Sequence, residues 1–566
     1  MSDPYTVMGI HDNHNACVSI LRNGELLFVV QEERINRVKN YNGFPDSAIR
    51  HALDWCHLAL EDIDCFAFGS IHNPPQRTAQ EQKEYYGQSP MKRAINDVAR
   101  ATPAYSLYKR SRMNARKKWL ESRNIPLSKV RFLDHHTVHA ASTLYSSGFS
   151  AKDTLLLTLD GGGDGRCAGV FVCDSENRII PLAVTPENHS VGNIYSLTTF
   201  HMGMTPLEHE YKLMGMAPYS QEKYYKDIVS SLSGLLDVDG MRFRRKTLLP
   251  TPSCLTLLER IYRRRRFDTI CGGLQEFTER LVCRWVANCI ESTGIHRLAL
   301  SGGVFMNVKM NRKIMDLPVV EEMFVMPSCG DESNPIGAAY LANAQHCHET
   351  GREVDNRPPR DLYLGEDFDD STVIAEIRKA GYECRKEPDM ASFAADMLAE
   401  DRIVARCAGR AEWGARALGN RSILANPRSY RNVQRINDAI KMRDFWMPFA
   451  ATVLDTYEQR YIINPKGVKS PYMIMSYATK PEAGEIVAAT HPKDHTVRPQ
   501  ILTNSANREY YAIIESFARK TGTGAVLNTS FNLHGEPMVY HPSDAVHTLE
   551  NSDLDILILN RHIVTK

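Results

Sequence analysis

The sequence holds no C-x-x-C pair, and its 13 cysteines are an odd number scattered from Cys17 to Cys407. That distribution argues against a disulfide framework and against a thiolate zinc knuckle, and it suits a reducing compartment. No stretch approaches the roughly 18 uncharged apolar residues of a membrane span. The opening MSDPYTVMGIHDNHNACVSI has no basic segment leading into an uninterrupted apolar one, as an export signal would. A cytoplasmic protein without membrane contact is expected. An excess of either charge is missing too: 68 Lys plus Arg against 67 Asp plus Glu leave a formal charge of +1. No field results that would hold a polyanion by counterion release, so nucleic acid is not an expected partner. Low-complexity tracts and internal sequence repeats are also absent.

What is present is an ordinary globular composition, 24% charged and 43% hydrophobic, in 566 residues, enough for two or three cores. YTVMGI, ACVSIL and ELLFVV read as strands, the last two joined by a turn at Asn23-Gly24. Strand-like VRFLD, TLLLTLD, LALSGG and MFVMP then alternate with helical patterns, the longest at LQEFTERLVCRWVANCIESTG, which predicts an α/β fold. The segment REVDNRPPRD reads as an extended linker. The expected domains are residues 1–351 and 363–566, with 352–362 between them.

His135 and His139 follow the strand VRFLD at the start of a helical run, so their i, i+4 spacing stacks both imidazoles on one face, a pattern able to chelate a divalent metal. His136 should point elsewhere. Asp160 and Asp164 in LDGGGDG, and Asp331 in PSCGDESNPIGAA, each end a strand beside glycines that allow close backbone approach. Imidazoles with carboxylates suit Fe(II), Zn or Mn. SGGVFMN adds another strand-to-helix glycine turn, a place where backbone amides can cradle phosphate. Basic runs at 109–118 and 263–266 are anion-site candidates, with solvated helix faces as the plainer alternative.

The order of several segments resembles the NodU/CmcH carbamoyltransferases along nearly the whole chain. They are Gly9 to His14, EER at 32–34 with Lys39, the His135/His139 pair, DGGGD, EYKLMGMAPY, SGGVFMNVKMN and GDES. The resemblance implies an actin-like, TsaD-like first domain with iron, or another divalent metal, on His135, His139, Asp160 and Asp331. It implies nucleotide contacts at Gly161, Gly162, Lys212, Gly302, Gly303 and Asn307, and His14 as catalytic base with Lys39 beside it. Asn15 and Ser333 stand where many relatives carry Asp and Gly.

In the second domain, Arg410, Arg416 and Arg421 of GRAEWGARALGNRSIL and Lys441 and Arg443 of KMRDFWMPFA form a density of cations that calls for an anion. Asn528, Thr529 and Ser530 end a strand with groups able to grip phosphate or a carbamoyl plane. These segments, with Arg498, resemble a YrdC-like domain that turns carbamoyl phosphate and Mg(2+)-bound ATP into carbamoyl-adenylate. Arg416, Arg421, Lys441, Arg498, Asn528 and Ser530 would bind those substrates, with Lys441 and Arg498 taking part in catalysis. Ala415, Asp444, Met447 and Ala451 depart from that pattern. The implied activity is O-carbamoyl transfer to a small-molecule hydroxyl acceptor, with a homodimer among the assemblies allowed. N-carbamoylation of an amine and an actin-like sugar kinase are the alternatives; the kinase leaves the second domain unexplained. The acceptor should meet the loops 80–120 and 235–270.

Overall fold

The computed structural model describes residues 4–72, 77–89, 92, 95 and 104–566. The chain divides into two compact units, Met1–Val29 with Asn40–Pro359, and Val30–Lys39 with Arg360–Lys566.

The first unit is built on two five-stranded sheets. One contains β1 (Thr6–His11), β2 (Cys17–Arg22), β3 (Glu25–Gln31), β4 (Cys65–Phe68) and β5 (Val130–Phe132), in the order β3-β2-β1-β4-β5. The other contains β6 (Leu155–Gly163), β7 (Arg166–Cys173) and β8 (Ile179–Pro186). Past the hairpin of β9 (Leu236–Asp239) and β10 (Arg242–Arg245), it is completed by β11 (Arg297–Ser301) and β12 (Glu322–Val325), in the order β12-β11-β6-β7-β8. Read from their own first strands, the two sheets have one order, 3-2-1-4-5. In each, strand 1 runs antiparallel to strand 2 and parallel to strand 4. This duplication is the actin-like arrangement, and no sequence repeat announces it. β1 and β4 are buried along their whole length, as strands covered on both faces must be. Asn23 and Gly24 both take positive φ (49° and 74°), the pairing a two-residue hairpin turn needs.

Each sheet sends out a helix after its fifth strand. Helix His135–Ser147 starts at Asp134, whose side chain accepts the Thr137 N–H at 3.0 Å, and packs on β6 and β11. Helix Asn334–Glu349 packs on β1, β2 and β4. The two helices cross where Gly337 has no room for a side chain: a Cβ there would lie 2.0 Å from the Val138 carbonyl oxygen. Strand ends and helix starts of both sheets thus gather at one place.

The second unit holds an eight-stranded mixed sheet. Its strands are β13 (Arg385–Lys386), β14 (Val404–Cys407), β15 (Arg421–Ala425), β16 (Ala450–Leu454), β19 (Pro499–Leu502), β20 (Ala525–Ser530), β21 (Ile556–Leu559) and β22 (His562–Thr565), in the order β13-β22-β21-β14-β15-β20-β16-β19. β17 (Ile462–Ile463) and β18 (Ala478–Thr479) form a separate ribbon. Helices Met390–Ala399 and Arg508–Thr521 cover one face, burying Leu398, Ile514 and Phe517 against Val526 and Ile558.

The stretch read as a linker is tied to the first unit. The Arg357 N–H donates to Gly24 O at 2.8 Å, and the Tyr340 hydroxyl donates to Arg357 O at 2.6 Å. Val30–Lys39, expected in the first domain, clusters instead with the second unit. Part of the 80–120 loop, residues 90, 91, 93, 94 and 96–103, lies outside the described residues.

Candidate metal centre and anion site

Four side chains from three elements converge in the first unit. His135 and His139 come from the first turns of their helix, Asp160 from the end of β6, and Asp331 from the turn before helix Asn334–Glu349. One ligand atom from each lies within 4.8 Å of all the others. His135 Nε2 is 3.2 Å from Asp160 Oδ2 and 3.5 Å from Asp331 Oδ1, and His139 Nε2 is 3.6 Å from the same two oxygens. His139 Nδ1 meets the hydroxyls of Ser301 (3.2 Å) and Ser333 (3.4 Å), while its Nε2 is buried without a hydrogen-bond partner. A buried acceptor left over in this way, facing two carboxylates, is the donor set a divalent cation takes. The residues fit the implied metal.

The electrostatics agree. Burial works against charge on His135, but the facing Asp331 and Asp160 overcome it and push the imidazole up to about 9. Asp331 is itself held well below the usual carboxylate range: His135 and His11 outweigh its burial. Two ionised carboxylates so close together in a half-buried space call for compensating positive charge. His136, by contrast, is pushed down to about 3 by burial and by its two histidine neighbours, and its Nδ1 turns to the Thr158 hydroxyl at 2.8 Å.

Glycines admit this crowding. A Cβ on Gly163 would sit 2.2 Å from the His135 ring, and Gly302, at φ 107°, passes so close to Leu159 that a Cβ would lie 2.4 Å from its carbonyl oxygen. Gly303 borders Asp160 Oδ1, and Gly161 faces open space. Gly162 abuts Glu187. Asn307 exchanges amide hydrogen bonds with Gln275 (2.9 and 3.0 Å) and caps the following helix, and Lys212 is half-buried in helix Glu210–Met216.

Two neighbouring side chains complete the surroundings of the quartet. Asp164 does not join the quartet, because its carboxylate accepts the backbone N–H groups of Ile71, His72 and His135 (2.8–3.0 Å). His11, not singled out from the sequence, reaches the site instead: its Nε2 lies 3.4 Å from Asp331 Oδ2. The signal was its place at the last position of a buried strand. His14 lies three residues further on, where it bridges to Asn42.

In the second unit the cations collect. Lys441, 3% exposed, donates to Ser530 Oγ (3.2 Å) and to Asn532 O and Oδ1 (3.2 and 2.7 Å). Arg443 donates to Thr529 Oγ1 at 3.1 Å. Lys441 is pushed well below the ordinary ammonium value, first by burial and then by Arg443 and Lys39; Arg498 is pushed down by burial and then by Arg416 and Arg443. Lys39 therefore lies with the second unit. Arg421 has other work: its guanidinium donates to the carbonyls of Tyr540, Gly409 and Asn420 at 3.0–3.2 Å, with longer contacts to Ala408 and Glu366, bracing the turn. Asn528 uses its amide N–H groups on Ala417 O (3.1 Å) and Thr452 Oγ1 (3.0 Å).

The family models that match are "Carbamoyltransferase N-terminus", over residues 6–340, and "Carbamoyltransferase C-terminus", over residues 395–566. The chain belongs to the carbamoyltransferase family. Among its relatives, Nodulation protein NolNO of Sinorhizobium fredii is 31% identical over 564 residues, covering 98% of this chain and 79% of that protein. Nodulation protein NolO of Bradyrhizobium diazoefficiens is 33% identical over 445 residues, covering 77% of this carbamoyltransferase and 79% of the relative. Solved structures align less closely. (R)-2-Hydroxyglutaryl-CoA dehydratase component A of Acidaminococcus fermentans has a TM-score of 0.34 at 13% identity, covering 61% of this chain and 99% of that one. Full-length HypF in its phosphate- and nucleotide-bound form has a TM-score of 0.31 at 14%, covering 62% and 47%. Among the described residues of this carbamoyltransferase, no helix is long and apolar enough to cross a membrane.

Proposed function

We propose that this carbamoyltransferase is ATP-dependent. Its second unit makes carbamoyl-adenylate from carbamoyl phosphate and ATP, and its first unit passes the carbamoyl group to a hydroxyl of a small-molecule acceptor. The observation that carries this reading is the crowding of like charges around Lys441 and Arg498, whose titration is displaced by other cations as well as by burial. Buried cations beside one another are costly, and phosphate-bearing substrates offset that cost.

In the first step water cleaves carbamoyl phosphate to carbamate and inorganic phosphate, and a carbamate oxygen then bonds to the α-phosphorus of Mg(2+)-bound ATP as the bond to pyrophosphate breaks. Lys441, Arg416 and Arg498 hold the anionic oxygens while charge moves onto the leaving group. In the second step the acceptor oxygen bonds to the carbamoyl carbon, AMP departs, and His14 takes the hydroxyl proton. His135, His139, Asp160 and Asp331 would hold Fe(II) or another divalent metal, which when bound supplies Lewis-acid polarisation and an anchor for phosphate. The open backbone at Gly161, with Gly303 beside Asp160, leaves room for a nucleotide next to that quartet. An adenylate is destroyed by water, so making and using it within one chain limits its loss.

Carbamoyl-phosphate-dependent exchange of labelled pyrophosphate into ATP tests the first step, with AMP and pyrophosphate as the expected products of full turnover. ADP as the stoichiometric product would instead favour the sugar kinase. Mass spectrometry of mixed hydroxyl and amine acceptors separates O- from N-carbamoylation.

A further inference from the structure

Residues 30–39 leave β3 and enter the second unit as the short helix Glu32–Asn36. That helix stops at Arg37, a non-glycine residue in the left-handed region (φ 60°, ψ 19°). Such a backbone persists where its surroundings over-determine it. Here the Arg37 guanidinium donates to Met538 O (2.9 Å) and Pro537 O (3.0 Å) and lies 3.6 Å from both Glu536 and Asp544. One helical turn earlier, Arg34 is buried, and its Nη2 donates to Gly414 O at 2.7 Å.

Gly414 sits in the middle of the loop that carries Arg416. The rest of that loop is pinned from within the second unit. Glu412 Oε1 accepts the N–H groups of Leu418, Asn420 and Arg421 (2.7–3.2 Å), Arg410 donates to Leu364 and Gly365 carbonyls (3.0 and 2.8 Å), and the Trp413 N–H donates to Leu362 O at 2.8 Å. Gly414 has φ 99°, a conformation only glycine visits readily, and as glycine it has the widest freedom in the loop. Two residues on, Arg416 faces Arg498 closely enough to displace its titration. At the other end of the entering segment, two residues past Arg37, Lys39 sets its charge beside Lys441.

We propose that Arg34 and Arg37 are positioning residues for the anion site of the second unit: Arg34 fixes Gly414 and so the direction of Arg416, and Arg37 fixes the backbone that delivers Lys39. The proposal rests on the adenylate-forming reading of that site.

The test is pyrophosphate exchange with full-length Arg34→Ala, Arg34→Lys and Arg37→Ala proteins, together with metal content and transfer from supplied carbamoyl-adenylate. Losing a charged donor's hydrogen bond should raise the carbamoyl phosphate KM by about tenfold to a hundredfold in each alanine variant, with kcat within about threefold of wild type. Arg34→Lys, which keeps one donor for Gly414 O, should recover most of the lost affinity. Metal content and transfer from the supplied adenylate should not change. If Arg34→Ala fails to fold, Arg34→Gln and Arg37→Ala carry the same measurement. Unchanged KM in the variants of an active wild type overturns this proposal alone. Parallel losses of exchange, metal and transfer would make both arginines merely structural and also overturn it. A wild type without carbamoyl-phosphate-dependent exchange removes the adenylate reading, and the proposal with it.

Discussion

Arg116 grips Asp12 as a fork, Nε to Oδ2 at 2.8 Å and Nη2 to Oδ1 at 2.7 Å, with both side chains shut off from solvent. The guanidinium also donates to Ser70 O and Oγ, at 2.9 and 3.0 Å, and stacks over Phe68. Arg116 belongs to the basic run 109–118, so the surface helix read from sequence hides one arginine that belongs to the core. Its partner Asp12 follows His11, the residue that touches Asp331. The pair thus braces the strand end next to the candidate metal centre.

Arg116→Met takes the guanidinium from the buried Asp12 carboxylate, and should cost about 3–5 kcal/mol of stability by urea unfolding. The double variant with Asp12→Asn should lose less, since no uncompensated charge remains. An Arg116→Met protein as stable as wild type would show that the pair is open to water in solution.

His139→Ala should abolish stoichiometric metal measured by plasma mass spectrometry and stop carbamoyl transfer, while leaving pyrophosphate exchange measurable. Gly163→Ala, which drives a methyl group into the His135 ring, should lower metal content as well without touching a ligand. Normal metal and normal transfer in His139→Ala would return the quartet to a hydrogen-bonded cluster.

Lys441→Ala and Arg498→Ala should each lower kcat/KM for pyrophosphate exchange by about tenfold to a hundredfold, the worth of a charge-assisted hydrogen bond. Supplied carbamoyl-adenylate should restore product in these variants but not in Asp331→Ala. Exchange at the wild-type rate with transfer alone impaired would move both cations to the other step.

Proton uptake gives an independent test. Folded Lys441 loses its proton below the ordinary value of about 10.4. Between the depressed and ordinary values the unfolded chain therefore binds more protons, and the contribution of Lys441 to stability rises with pH through that window. An anion beside Lys441 reverses the depression, so pyrophosphate binding in the same window should take up protons. Calorimetric titration in two buffers of different ionisation enthalpy measures that uptake. It should vanish in Lys441→Met; equal uptake there would assign the proton to another group.

The members of the quartet were legible as separate candidates because each has a local signature, and the family resemblance joined them into one set. His135 and His139 share a helix face by spacing alone, and Asp160 and Asp331 each end a strand among glycines whose purpose, close approach, shows in composition. The Asn23-Gly24 hairpin was legible for the same reason. Spacing alone left the role of Asp164 open, because it cannot tell a carboxylate that reaches a metal from one that folds back onto backbone N–H groups. His11 was missed because its partner Asp331 lies in a turn after the other sheet's last strand and far along the chain.

Local chemistry, written in a few consecutive residues, determined the α/β alternation, the candidate His and Asp side chains, the cation-rich second half and the carbamoyltransferase resemblance. Tertiary structure alone decided that the two sheets of the first unit share one strand order without a sequence repeat, because a strand order is kept by burial pattern rather than by residue identity. It also decided that residues 30–39 cluster with the second unit and that Arg116 is core. Those outcomes depend on hydrogen bonds from Arg34 to Gly414 and from Arg116 to Asp12, between residues far apart in the chain, and no local periodicity records which distant group a buried guanidinium will find.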